Sequence, residues 1–254
     1  MQVALRTVLL QILLLAGSSR LPAEEARINT ILAGIQRAEA ARETAIADMV
    51  YTAETRVVEW EDETRENIKS ETLSLRKVYV LGGDPVHNEY LSMTVDGRRL
   101  SPKQMQRELA KQRRGGRREG RFSSPFSPDT APLYDFELMG PHRFEGREVW
   151  TVAFEPKQAE EELFSGIAYV SPDDYQPQYV EITPSKLPGI LKEFAMSIRF
   201  APVEGFWLPE VFSMDMHVRI DFLLTLSDRT LSIVDRYSQY RLNVGVDPEL
   251  FDSP

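Results

Sequence analysis

The sequence predicts a mainly β protein built on one large, curved antiparallel sheet, and three observations lead there. First, Phe194 to Phe222 holds two long alternating runs. The first sets Phe194, Met196, Ile198 and Phe200 against Glu193, Ser197 and Arg199. The second sets Phe212, Met214, Met216, Val218, Ile220 and Phe222 against Ser213, Asp215, His217, Arg219 and Asp221. Strict alternation is the mark of a half-buried strand. Strands usually run about 5–6 residues, so alternation over roughly twice that length points to a curved sheet with an apolar concave side. Second, the breaks between the other extended runs are short turn signals, and parallel pairs would need crossover helices. Third, helical spacing is confined to two segments.

Taken in order, Arg6, the apolar run Thr7 to Ala16 and the small residues Ala16-Gly17-Ser18 form a secretory signal pattern over 1–23, too short and too soon followed by Arg20, Glu24 and Glu25 to span a membrane. Ile28, Ile31, Leu32, Ile35, Ala38, Ile46 and Met49 then recur at helical spacing, so an amphipathic helix is expected from about Glu24 to Asp48. Strands are expected at Val50 to Trp60, Ile68 to Leu81 and Val86 to Val95, divided by Gly82-Gly83-Asp84-Pro85 and closed by Asp96-Gly97. Ser101, Pro102 and Gln104 carry a helix-start signature, followed by a thin apolar contact from Met105 and Leu109. From Arg98 to Arg121, ten Lys or Arg face only Glu108 and Glu119, a local charge of +8 within a chain of −9. This stretch reads as a basic insertion with a short helix, and Phe122 to Pro132 as a linker. Strands resume around Tyr134, Phe136 and Leu138, at Val149 to Phe154, Gly166 to Val170 and Gln178 to Ile182, with turns at Glu145-Gly146 and Pro172-Asp173-Asp174. Ala201 to Pro209 joins the two long runs, and a last pair is expected around a turn at Ser227-Asp228-Arg229. The total is about ten or eleven strands and two helices.

The absence of cysteine excludes disulfides, thiol catalysis, thiolate metal sites and a lipid-acceptor cysteine. The negative net charge argues against general nucleic-acid binding.

Three stretches carry a family resemblance: Phe154-Glu155-Pro156-Lys157; Gly166-Ile167-Ala168-Tyr169-Val170 with Asp173 and Gln176-Pro177; and Gly205-Phe206-Trp207-Leu208-Pro209. With the leader, the helix and the long meander, they resemble the outer-membrane lipoprotein-sorting proteins, the LolA/LolB-like half-barrel superfamily. The resemblance runs from about Arg27 to Phe251 and implies one domain over 24–254, an open cup whose concave face holds acyl chains beneath helical lids. The basic insertion at 98–121 has no counterpart in that pattern.

Phe194, Met196, Ile198, Phe212, Met214, Met216 and Val218 are the candidate ligand wall, because Met and Phe adapt to irregular apolar guests; each taken alone also fits an ordinary core. Arg113, Arg114, Arg117 and Arg118 are candidates for contact with an anionic membrane surface or an acidic protein, or else belong to a solvated loop. His87, His142 and His217 lack metal-ligand spacing and read as solvated, as do Glu160-Glu161-Glu162 and Asp173-Asp174. No nucleophile elbow or phosphate loop is present. The expectation is therefore a non-enzymatic protein without metal or cofactor: an exported, soluble periplasmic carrier of an acyl chain or lipidated protein. The alternative is an envelope binding or regulatory module of the same fold without lipid cargo.

Overall fold

Helix α1 (Pro22–Ala45) precedes strands β1 (Asp48–Trp60), β2 (Ile68–Leu81), β3 (Asp84–Val95) and the short β4 (Arg98–Arg99). Helix α2 (Pro102–Arg114) and a 3-10 turn at Ala131–Leu133 lead to β5 (Tyr134–Phe144), β6 (Arg147–Pro156), β7 (Phe164–Val170), β8 (Pro177–Pro184), β9 (Leu191–Val203), β10 (Phe206–Phe222) and β11 (Thr225–Leu242). These belong to a computed structural model that describes residues 22–114, 124–222, 225–247 and 249. Residues 1–21 of the signal pattern lie outside the described residues.

All eleven strands form one sheet, in the order β4-β3-β2-β1-β11-β10-β9-β8-β7-β6-β5. Neighbours are antiparallel throughout, and β4 and β5 remain as its two edges, so the sheet is an open half-barrel. Hairpins dominate because the turns are tight. Gly82-Gly83, Asp96-Gly97, Glu145-Gly146 and Glu204-Gly205 each place two successive residues at positive φ, as the hairpin turn that matches strand twist requires. Ala201 to Pro209 is thus mostly strand: Pro202 pairs with Trp207, and Pro209 sits beside a register shift, where its missing N–H is tolerated.

Register explains how the faces are filled. One row crosses the sheet through Leu138, Val152, Ala168, Val180, Ile198, Phe212, Asp235, Thr55, Ser74 and Met93. The next runs through Phe136, Phe154, Gly166, Ile182, Met196, Met214, Ile233, Val57, Thr72 and Val95. This is the concave face. Over its β5–β9 arm lies α1, which buries Ile28, Ile31 and Ile35 against Phe136, Val152, Phe154, Ala168, Val170 and Ile182. The spacing of those isoleucines puts them on one helix face. Gly34 belongs to the same face, where a Cβ would fall 2.2 Å from the ring of Tyr175. The helix stops at Ala45, so Ile46 and Met49 of the expected apolar stripe lie beyond it, and Asp48 already opens β1.

Two sequence expectations change here. Phe122 to Pro132 is no detached linker where it is described: Phe126 is buried in the core, its ring 5.6 Å from Phe136 and 5.5 Å from Phe154. Its carbonyl accepts a 3.0 Å hydrogen bond from Gln36 Nε2 of α1. Ser227-Asp228-Arg229 is not a turn but lies inside β11, paired with Ile220, Arg219 and Val218. Long alternation in both strands carries them past this polar triplet. Finally, the basic stretch 98–121 takes in β4 and α2 and enters the segment that joins β4 to β5, the two opposite edges of the sheet, and Phe126 of that segment packs on the concave side.

Candidate functional site

The residues expected to form the wall come together on one face of β9 and β10. Phe212 pairs with Ile198, Met214 with Met196, and Met216 with Phe194, while Val218 pairs with Leu191. All seven wall residues are half-buried. The gradient across them is informative. Met196 and Ile198 abut the core beneath α1, whereas Phe194, Phe212, Met214, Met216 and Val218 carry the apolar surface beyond it. Ile233 of β11, 4% exposed, extends the Met214 row as far as Val57. Arg113 and Arg114 end α2, while Arg117 and Arg118 lie outside the described residues. On α2, Gln104 Oε1 accepts 2.9 Å hydrogen bonds from both the N–H and the hydroxyl of Ser101, and Leu109 is buried. Lys103, Arg107 and Lys111, spaced four apart and so on one helix face, are exposed, as are Arg98 and Arg99.

A polar cluster interrupts the concave face at β11, β1 and β2, and the alternation of the two long runs gave no hint of it. Arg76 Nη1 donates to Thr55 Oγ1 at 2.5 Å; the Thr55 hydroxyl donates to Asp235 Oδ1; and the Tyr237 hydroxyl donates to Asp235 Oδ2 at 3.3 Å. Thr55 and Ser74, adjacent in the row, are both 9% exposed. Tyr237 meets Tyr51 edge-on at 5.6 Å, and Tyr51 lies 5.1 Å from Tyr240, whose hydroxyl donates to the Pro209 carbonyl at 2.6 Å. Burial pushes the phenols of Tyr237 and Tyr240 well above their ordinary range, with the Asp235 charge adding to the effect at Tyr237. Both therefore stay protonated at neutral pH. Tyr237 and Tyr240 also line a shallow cavity of about 190 Å³ with Leu208, Pro209 and Glu210.

On the opposite face, His217 departs from the solvated reading. Its side chain is 13% exposed, with Nε2 2.6 Å from Asp228 Oδ1 and Nδ1 3.8 Å from Glu63. Asp228 reaches it because β10 and β11 run on together past the expected turn. Asp174 is likewise engaged, accepting from Trp207 Nε1 at 3.0 Å and from the Gln176 N–H at 3.2 Å, while Gln176 Oε1 accepts from the Trp207 N–H at 3.0 Å. Two of the sequence stretches that carry the family resemblance thus dock on one another. Among the described residues, no group of three or more His, Asp or Glu is placed to hold a metal ion.

A family model matches residues 32–237. The chain belongs to DUF5686, described as a family of unknown function. No curated protein matches it at a significant level. Among solved structures it is similar to a DUF1329 family protein from Desulfovibrio piger, with 13% identity, 88% of this chain and 96% of that one covered, and a TM-score of 0.44. It is also similar to an outer membrane lipoprotein-sorting protein domain from Vibrio parahaemolyticus, with 11% identity, 87% and 97% coverage and a TM-score of 0.41. A LolA superfamily protein from Nitrosomonas europaea matches with 12% identity, 89% and 97% coverage and a TM-score of 0.38.

Proposed function

We propose that this DUF5686 member is an exported periplasmic carrier that holds an acyl chain, free or attached to a protein, against the concave face by apolar burial, without covalent chemistry or a cofactor. The observation that carries this reading is the half-buried strip from Phe194 to Val218, in unbroken register from Ile198–Phe212 to Phe194–Met216 and left partly open beside the α1-covered core. A monomer with no apolar guest gains nothing from leaving such a strip open to water. Each buried methylene is worth about 0.8 kcal/mol, so about fifteen buried carbons supply roughly 12 kcal/mol, which meets the roughly 8 kcal/mol of micromolar binding once an association cost of about 4 kcal/mol is taken off. The signal pattern over 1–23 supports export, and the basic face of α2 with Arg98 and Arg99 supports delivery at an anionic membrane surface. The same half-open strip also suits a second reading, a module of this fold that grips an envelope protein without lipid.

Met214→Arg tests the first reading. Met214 is half-buried at the middle of the strip, so the guanidinium can reach water along its stem while occupying the wall. The expected outcome is loss of fluorescent fatty-acid binding with cooperative melting retained. If Met214 belongs instead to a closed core, the buried charge costs about 3–5 kcal/mol, and melting collapses together with binding. Native mass spectrometry of the purified wild-type protein should show co-purifying lipid; its absence together with unsaturable probe binding favours the protein-gripping module.

A further inference from the structure

The row that begins as Ile198 and Phe212 turns polar at Asp235, Thr55 and Ser74, in the interior of the sheet where nothing in the strand pattern demands polarity. Burying such groups is costly unless they are fully bonded, so the hydrogen-bond capacity at this break decides its role. Asp235 accepts one hydroxyl on each carboxylate oxygen. Thr55 donates its one proton to Asp235 and accepts from Arg76. Arg76 differs: its guanidinium has five donor hydrogens, and among the described residues it makes one hydrogen bond, through Nη1. The surplus at the cluster is therefore of donors, held in place by Thr55, which Asp235 holds in turn. Phe212 pairs with Asp235, so the apolar strip meets the cluster at β11, with Thr55 on β1 and Arg76 on β2 following across the same face. A second hydroxyl on Asp235 comes from Tyr237, the one member of the cluster that also lines the cavity beside Pro209.

We propose that Arg76, positioned by Thr55 and Asp235, is the headgroup subsite of the concave face, and that the ligand is a long acyl chain ending in a free carboxylate. This rests on the carrier reading and narrows it. A planar carboxylate matches the guanidinium fork in two parallel hydrogen bonds, and Asp235, with both oxygens already engaged, offsets the Arg76 charge enough to favour a single anion over a multiply charged phosphate.

The test uses the full chain and displacement of a neutral fluorophore, Nile red, by three amphiphiles of equal tail length: palmitate, methyl palmitate and hexadecyltrimethylammonium. Wild type should bind palmitate on the order of 10- to 100-fold more tightly than methyl palmitate, with the cation weakest. Arg76→Met should erase the preference for palmitate while leaving methyl palmitate binding unchanged. Thr55→Val, which removes the positioning hydroxyl but preserves side-chain shape, should reduce the preference without changing the affinity for the ester; it decides the matter should Arg76→Met fail to fold. Equal binding of acid and ester by wild type, or a preference that survives Arg76→Met, overturns the subsite and leaves the carrier reading standing. Failure of wild type to bind any of the three overturns the carrier reading and the subsite with it.

Discussion

At the scale of single residues, the tightest constraint is Gly166, the gap in the second concave row. A Cβ there would lie 2.1 Å from the Glu181 carbonyl oxygen and 2.6 Å from the Phe154 ring, so the missing side chain is what lets Phe154 lie across the strand. The carbonyl is ladder backbone and cannot swing aside. Gly166→Ala should therefore cost about 2–3 kcal/mol, read as a lower urea midpoint at unchanged m-value. Gly34→Ala meets the inner ring atoms Cγ and Cδ1 of Tyr175 and should also destabilise, but it meets no ladder backbone and gains about 1 kcal/mol of helix propensity, so its net cost should be smaller. Equal effects would mean that the β7–β8 ladder yields more readily than the close pairing of Gly166 with Ile182 implies. Alternation sufficed to put Met196, Met214 and Phe212 on one face, because that is a property of a single strand. The Arg76, Thr55, Asp235 and Tyr237 cluster was not legible. Each residue sits on its strand like any solvent-facing polar residue, and only the register of β2, β1 and β11 brings them together. The engagement of His217 by Asp228 was hidden for the same reason.

Among the elements, helices and turns were read well where the chemistry is local. The Ser101, Pro102 and Gln104 signature does begin α2, and the Gly-containing pairs do close hairpins. What failed was reading polarity as a turn: Ser227-Asp228-Arg229 is paired strand because cross-strand partners outweigh local preference. Phe126 shows the converse, an aromatic residue within proline-rich sequence that the core captures. The β9–β10 turn offers a direct check of local chemistry. Glu204 holds φ at 50°, a left-handed conformation that Asn adopts at lower cost, and its side chain is exposed. Glu204→Asn should stabilise the hairpin by about 0.5–1 kcal/mol and raise the melting midpoint without altering ligand binding. A lower midpoint would show that strain at this turn is not limiting.

Across the whole molecule, topology and charge converge on the segment between β4 and β5. A flat sheet of eleven strands would be roughly 48 Å wide at the usual spacing, and this segment must join its two edges. Positive charge is concentrated there: residues 98–121 hold +8, leaving −17 on the remainder. Composition displayed that asymmetry, but sequence could not reveal that the segment is a crossover, because only strand order makes β4 and β5 the edges. Lys103, Arg107 and Lys111 share the face of α2 away from buried Leu109, and Lys111 spends part of its charge on Glu108 at 3.0 Å. Replacing all three by Gln retains helix propensity and removes three charges, each worth about 1 kcal/mol at an anionic surface. Melting should stay within a degree or two, as for other exposed sites. Binding to vesicles rich in anionic lipid should fall about 100-fold at low salt, and replacing Arg113, Arg114, Arg117 and Arg118 by Ser should weaken it in the same direction. The wild-type signal must itself fade with added salt, since attraction is screened over about 8 Å at physiological ionic strength. Vesicle binding equal to wild type in both variants would leave the segment as a solvated crossover, and delivery of any ligand would then depend on a protein partner rather than on the membrane.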